Sequence, residues 1–467
     1  VADLELAARE GFVAVEHAKR YTTAGMATDQ GRTSQTATAA VLAGATGRSI
    51  GEVGASGLRP PASPVPFGAL GGWRRGPLFH PVRKTPMHDR HVALGAVFED
   101  VGDWKRARFY PKPGEDMRAA TARECAAVRT GAGVLDVSTL GKIDVSGPDA
   151  TEFLNRVYTN RMDSLAVGAC RYGLMLKDDG MVFDDGVAAR VAEDRFHITT
   201  TTGGAAAVLD WLEDWRQTEW PELKVWLASV TEQWAGVAVA GPKARDIAER
   251  LAPGADLSAA ALPHMRWIAA DVLGAPARIF RVSFSGELGF EIHTPWRRGP
   301  ALWDAAVQAG ATPYGTEAMH VLRAEKGFIV VGHGTDGTVT PVDLGMNWIL
   351  STKKGDFIGR RGLMRDALVA DGRKQLVGLE PEDPAVVLDE GAQLVADADP
   401  KPPTPMLGHV TSSYWSATLN RGFALALVRD GRARRGERLF AWSLGTTHAV
   451  RVRDPVFYDP KGARLEL

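Results

Sequence analysis

Two adjacent carboxylates stand out in the run GMVFDDG (Gly180 to Gly186), where Asp184 and Asp185 follow the strand-forming residues Met181, Val182 and Phe183. Neighbouring side chains of a strand point to opposite faces, so only one of the pair can face a pocket. A carboxylate so placed can accept hydrogen bonds from a heterocycle or guide a proton to or from a reacting amine. The competing reading is an Asp-Gly turn at the exposed end of the strand, with both carboxylates solvated. KDDG (Lys177 to Gly180), just upstream, reads as such a turn. A second acidic run, FSGELGFEIH (Phe284 to His293), predicts a turn at Ser285-Gly286 and then a strand with Phe290 and Ile292 on one face and Glu291 on the other. Glu287 or Glu291 suits the two parallel N–H donors of an aminopyrimidine edge, although either also suits a plain surface position. In HVLRAEKG (His320 to Gly327), Arg323 and Glu325 end a predicted helix. Arg323 there can neutralise an anionic ligand or simply stabilise the negative end of the helix dipole.

The elements that must carry these residues are legible around them. One unit occurs twice, as IDVSGPDATEFLNRV (Ile143 to Val157) and VAVAGPKARDIAERL (Val237 to Leu251). Each reads as a strand, a Gly-Pro turn and an amphipathic helix with proline in its first turn, which suggests two related α+β halves around a shared site. Upstream, Leu4, Ala8, Phe12 and Val15 recur at helical spacing behind Asp3, and a second helix is expected over about 34–42. RPPASPVPFGALGG (Arg59 to Gly72) reads as an extended connection. After Asp371 the runs KQLVGLEP, AQLVAD, LGHVTSS, FALALV, RLFAWSL and HAVRVRDPVFY, separated by Gly, Pro and Asp, predict a small antiparallel β-barrel or sandwich.

Composition narrows the function classes. A chain of 467 residues, 45% hydrophobic and 24% charged, predicts several folded domains. A net charge of -1 gives no electrostatic footprint for nucleic acid or an anionic membrane. Cys125 and Cys170 are too few for a disulfide framework or zinc site and suit a reducing cytoplasm. Eleven histidines without HxxH or HExxH spacing argue against a bound metal. No GxGxxG, Walker A or GxSxG motif opens a helix, so neither a nucleotide loop nor a hydrolase elbow is expected. No apolar run approaches bilayer length and nothing reads as a signal peptide. A start at Val1 without methionine suggests a processed or truncated product.

Taken in order, these motifs resemble the glycine-cleavage aminomethyltransferase family. TPMHDRHVALGAVFEDVGDWKRARFY (Thr85 to Tyr110) is similar to that fold's opening, and VRTGAGVLDVSTLGKIDVSGPDA (Val128 to Ala150) to its next segment. CRYGLMLKDDGMVFDDG is similar to its folate-site segment, and the likeness runs on through GELGFEI, LRAEKG, TPVDLG with NWIL, and VTSSYWSATL, about four fifths of the chain. The resemblance implies folate-contacting roles for Tyr172 and Asp185. Where the family usually carries asparagine in a VVNA-like strand, HITTTTG (His197 to Gly203) places Thr201, which offers a single hydroxyl.

The remainder departs from a stand-alone aminomethyltransferase. VEHAKRYTTAGMATDQGRTS (Val15 to Ser34) with RPPASPVPFGAL, and also VTEQWAGVAVAGPKAR and MHVLRAEKGFIVVGHGTDGTVTPVDLG, resemble the α subunit of the heterotetrameric sarcosine oxidase and N-methylglutamate dehydrogenase family. That resemblance implies an α+β, multidomain aminomethyltransferase-like folate-binding fold. Residues 1–75 would be the helical tail of an upstream dinucleotide-binding region with its linker, 76–371 the folate-binding region and 372–467 a C-terminal β-barrel. It implies a complex with a flavin-bearing β subunit and small subunits, FAD in the β subunit, FMN at the interface, NAD in the upstream region, and tetrahydrofolate in this chain. The imine formed by oxidative demethylation would be captured as methylenetetrahydrofolate. Asp185 would be catalytic, and Tyr172, Thr201, Glu287, Glu291 and Arg323 would bind the cofactor. A free-standing folate-dependent transferase and a non-catalytic scaffold for a flavin subunit are the alternatives.

Overall fold

The computed structural model describes residues 1–58, 63 and 65–467. They form two compact units, Val1–Pro81 and Val82–Leu467. The first is helical: α1 (Ala2–Arg9), α2 (Val15–Tyr21), α3 (Gln35–Thr46), α4 (Ile50–Val53) and α5 (Phe67–Gly71). Leu4, Val15, Ala18, Leu42 and Val53 make its core. The single helix expected through Val15 is two, because Gly11 takes a left-handed φ of 95° between them. Asp3 lies inside the first turn, where its charge favours the helix N-terminus, and Val1 is the cap. Of the connection expected over Arg59 to Gly72, Arg59–Ala62 and Pro64 lie outside the described residues. Phe67–Gly71 is helical rather than extended, since the prolines stop at Pro66, whose carbonyl accepts from Ala69 N–H.

The second unit opens with β1 (Arg83–Lys84), α6 (His88–Ala93), β2 (Val97–Val101) and β3 (Trp104–Phe109), a small three-stranded sheet, and α7 (Met117–Thr130). Next come β4 (Gly133–Asp136), β5 (Gly141–Ser146), α8 (Ala150–Val157), β6 (Cys170–Leu176), β7 (Val182–Ala192), β8 (Arg195–Thr200), α9 (Ala205–Asp214) and β9 (Trp226–Ser229). Then follow β10 (Trp234–Ala240), α10 (Ala244–Leu251), β11 (Trp267–Val272), β12 (Ala275–Phe280), β13 (Gly289–Pro295), α11 (Gly299–Gln308), β14 (Thr312–Pro313) and α12 (Thr316–Glu325). They build a five-stranded sheet, order β6-β7-β8-β5-β9, and a six-stranded sheet, order β11-β12-β13-β10-β4-β14.

The repeated strand-turn-helix unit accounts for this pairing. β5–α8 and β10–α10 use the same device, a glycine at φ 128° (Gly147) and 132° (Gly241) whose carbonyl closes a turn onto Ala150 and Ala244 N–H. Pro148 and Pro242 sit in that turn, just ahead of the helices rather than in their first turn. Ile143, Val145, Phe196 and Ile198 turn one face of the five-stranded sheet onto Phe153, Leu154, Val208 and Leu212 of α8 and α9. Val237, Ile279, Phe290 and Ile292 do the same for the six-stranded sheet against α10 and α11. The opposite, polar faces of the two sheets are turned inward.

The C-terminal strands β15 (Lys374–Pro381), β16 (Gln393–Val395), β17 (Gly408–Ser416), β18 (Arg421–Arg429), β19 (Arg438–Ser443) and β20 (Thr446–Arg453) close a barrel in the order β15-β18-β17-β16-β19-β20. Closure removes the edge strands that an open sheet would leave unpaired. Among the described residues no helix is long and apolar enough to cross a membrane.

Candidate functional site

The aspartate pair lies within β7, not at an exposed strand end. The hairpin turn is KDDG instead: Gly180 N–H reaches Lys177 O at 2.9 Å and Lys177 N–H reaches Met181 O at 2.9 Å. Alternation along β7 then separates the two carboxylates. Asp185 shares its face with Val187, and Val187 is paired with Tyr172 on β6. The Tyr172 hydroxyl accordingly donates to Asp185 Oδ2 at 2.6 Å. Burial raises the Asp185 carboxyl; the Tyr172 bond pulls it back in part, the charge of Asp184 pushes it up again, and it settles at about 7. Burial and the adjacent carboxylate hold the Tyr172 phenol well above its ordinary value. A carboxyl near neutrality can both take and return a proton at working pH.

Asp184 turns the other way and is 1% exposed. Its Oδ1 accepts from Asp185 N–H (2.7 Å) and Thr201 N–H (3.2 Å), and its Oδ2 accepts the Thr201 hydroxyl at 3.0 Å. Thr201 Oγ1 in turn accepts Gly204 N–H at 3.1 Å. Thr201 is thus joined to the aspartate pair through Asp184. A side chain at residue 204 would collide with Asp184 Oδ2, so glycine is required there.

Glu291 reaches the same inter-sheet space from β13. With His293, Phe280 and Val282 of the six-stranded sheet, it lines a cavity whose opposite wall is Val187, His197 and Thr199. Lys142 and Asp144 share the inward face of β5, being paired with Thr199 and His197. Lys142 is fully buried; its Nζ donates to Ser138 O (3.0 Å) and Leu140 O (2.9 Å), and burial lowers it to about 8.

Glu287 and Arg323 are held elsewhere. Both Glu287 oxygens are committed: Arg129 Nη1 (2.9 Å) and the Tyr458 hydroxyl (3.0 Å) donate to Oε1, and Arg464 Nε (2.9 Å) to Oε2. Arg129 also donates to Glu325 Oε2 and to Ser285 O, which ties α7, the GELGFE turn and α12 into one buried network. Arg323 is 1% exposed and donates to Phe328 O (3.0 Å), Ser412 Oγ (2.8 Å) and the Tyr414 hydroxyl (3.3 Å), anchoring α12 to the barrel strand β17.

Three residues of the region carry no expectation from sequence. Arg129 lies in VRTGAGVLDVS, where a lone arginine gives no signal. Trp348, 70% exposed, stands with its ring centroid 6.4 Å from that of Tyr172, and NWIL marks only the segment. His197 is paired with Asp144, 53 residues earlier, a register that local periodicity does not contain. Among the described residues no group of three metal-ligating side chains converges.

Two α+β halves, an inward-facing Tyr–Asp pair and a following barrel define a class, and comparison with known proteins agrees with it. Residues 87–354 match the GCVT N-terminal domain and 374–459 the glycine cleavage T-protein C-terminal barrel domain. The aminomethyltransferase of Mycobacterium leprae is 30% identical across 81% of this chain and 97% of its own length. The aminomethyltransferase T of the Bartonella henselae glycine cleavage system superposes with a TM-score of 0.70 at 24% identity, over 81% of this chain and 99% of that one. The chain belongs to the glycine-cleavage aminomethyltransferase family. Its particular kinship lies with a longer protein: residues 1–73 match the sarcosine oxidase A3 domain. Sarcosine oxidase α subunits from Corynebacterium sp. strain P-1 and Rhizobium meliloti are 53% and 45% identical over the whole chain. The chain spans about half the length of these relatives, 49% and 48%.

Proposed function

We propose that this chain is the folate-binding half of the α subunit of a heteromeric sarcosine oxidase, capturing the carbon of an N-methyl amino acid as methylenetetrahydrofolate. The single observation that carries the reading is the Tyr172–Asp185 pair, its carboxyl near 7, in an inter-sheet space that also holds Glu291. Whole-length similarity to sarcosine oxidase α subunits supplies the reaction class. On this reading the domain limits are residues 1–75, 76–371 and 372–467. FAD and FMN belong to a partner β subunit and its interface, and NAD to the upstream region.

The residues present fit a reduced pterin. Glu291 offers two acceptor oxygens to N–H donors, and buried ring nitrogens of His197 and His293 nearby have no partner. Tetrahydrofolate supplies two nitrogens that share the incoming methylene carbon, and their two protons leave on the released amine, so an iminium CH2=NH–R becomes R–NH3 with no net change of charge. Asp185 relays a proton across that exchange; Tyr172 fixes which oxygen of Asp185 faces the reaction. Thr201 and Asp184 hold the β7 end against the start of α9, and Glu291 orients the ring. Closing this space from water matters because a free iminium hydrolyses to formaldehyde, while a held nucleophile gains an effective concentration of up to about 10⁵–10⁸ M.

The test is to purify the native complex, count its chains, record its visible spectrum and titrate it with tetrahydrofolate. The reading expects a flavin spectrum, at least one further subunit and saturable folate binding. A flavin-free single chain, or no folate binding, refutes it.

A further inference from the structure

His197 and His293 face each other across the inter-sheet cavity, ring centroids 6.1 Å apart, each 1% exposed. His197 Nε2 and both ring nitrogens of His293 have no hydrogen-bond partner. Glu291 Oε2 lies 3.7 Å from His293 Nε2, too far for a hydrogen bond. Leaving such groups bare in a protein interior costs about 1–3 kcal/mol each, so so many together mark a place that something polar fills.

The tautomer of His197 is fixed by what holds it. Asp144 Oδ1 sits 2.7 Å from His197 Nδ1, and Arg195 pairs with the other oxygen. Burial raises the Asp144 carboxyl, but the bonds from His197 and Arg195 prevail and keep it ionised, well below the carboxylate range. The imidazole proton therefore resides on Nδ1. Burial lowers His197 to about 4, so the ring stays neutral and Nε2 is an acceptor at any working pH. His293 contributes one donor and one acceptor nitrogen, whichever tautomer it adopts. With the Glu291 carboxylate, the cavity offers several acceptors and one N–H donor. Its remaining walls, Val187, Phe280 and Val282, are apolar and suit the faces of a flat ring. About 220 Å³ of atom-free space lies between these groups. The His293 ring, bonded to nothing, is free to turn aside for an entering edge.

Resting on the folate reading above, we infer that His197, oriented by Asp144, and His293 are specificity-determining residues that join Glu291 in recognising the amino-oxo-pyrimidine edge of the pterin. His197 Nε2 accepts from the 2-amino group, and His293 donates to the ring oxygen. The acceptor-acceptor-donor set complements the amino, ring N–H and oxo groups of that edge.

The assembled complex is titrated with tetrahydrofolate and with its 2-desamino analogue, for wild type, His197→Phe and His197→Gln, alongside the rate of amine oxidation as a check on assembly. Expected is a loss of about 10–100-fold in tetrahydrofolate affinity for His197→Phe, the range of one buried hydrogen bond, with oxidation unchanged. His197→Gln, which keeps an acceptor, recovers most of that loss. The desamino analogue binds wild type and His197→Phe equally, because the bond at issue is already missing. Wild type that binds no folate refutes the function proposed above. Wild type that binds it, with His197→Phe unchanged or with the analogue still discriminating between the two, overturns the present inference and leaves a buried water as the cavity's occupant.

Discussion

Replacing Asp185 by asparagine should stabilise this protein at high pH while disabling it. The carboxyl ordinarily titrates at 3.8 and stands at about 7 in the fold. A group whose folded value is raised in this way holds its proton more tightly when folded, so stability falls as pH climbs from about 4 through 7. At 1.36 kcal/mol for each pH unit of that window, the cost of keeping Asp185 ionised at pH 8 is about 4 kcal/mol at most. Asp185 is only half-buried, and asparagine accepts the Tyr172 hydroxyl less strongly, so about 1–2 kcal/mol of net gain is the working figure. For a unit of this size that is roughly 2–4 °C in Tm. The assay is thermal unfolding of wild type and Asp185→Asn at pH 8 and pH 4. The gain should be present at pH 8 and absent at pH 4, where the wild-type carboxyl is already protonated in the fold. Asparagine that destabilises equally at both pH values, or a gain of the same size at pH 4, would refute the electrostatic reasoning.

Arg129→Leu strips two buried carboxylates, Glu287 and Glu325, of their shared cation and should cost about 3–5 kcal/mol, measured by denaturant unfolding. Arg323→Leu unties α12 from the barrel; it should lower stability by about 2–4 kcal/mol and leave folate affinity within twofold, whereas a large loss of affinity at normal stability would return Arg323 to the ligand. Trp348→Ala removes an exposed ring beside Tyr172 and should leave Tm unchanged within a degree while weakening folate binding several-fold, by titration.

Much of this was legible because local signals agreed with one another. The duplicated strand-Gly-Pro-helix unit announced two halves, and alternation in FSGELGFEIH placed Phe290 and Ile292 in the core and Glu291 opposite them. The barrel runs were each short, alternating and bounded by turn residues. What failed to show was set by pairing across long separations. DDG looks like a turn until KDDG is seen to close the hairpin and to draw Asp184 and Asp185 inside β7. Glu287 reads as an available carboxylate because its partners Arg129, Tyr458 and Arg464 are 158, 171 and 177 residues away. The Asp144–His197 dyad depends on the β5–β8 register, which no local pattern encodes.

The central claim is that Asp185 serves carbon capture and not amine oxidation. It is tested most directly by supplying the assembled complex with N-methyl amino acid and tetrahydrofolate and measuring substrate consumed, methylenetetrahydrofolate formed and formaldehyde released for wild type, Asp185→Asn and Asp184→Asn. The account predicts unchanged substrate consumption in Asp185→Asn, folate product down about 10²–10⁴-fold, formaldehyde in its place, and a much smaller effect of Asp184→Asn. Undiminished folate product in Asp185→Asn, or equal loss in the two variants, would contradict it.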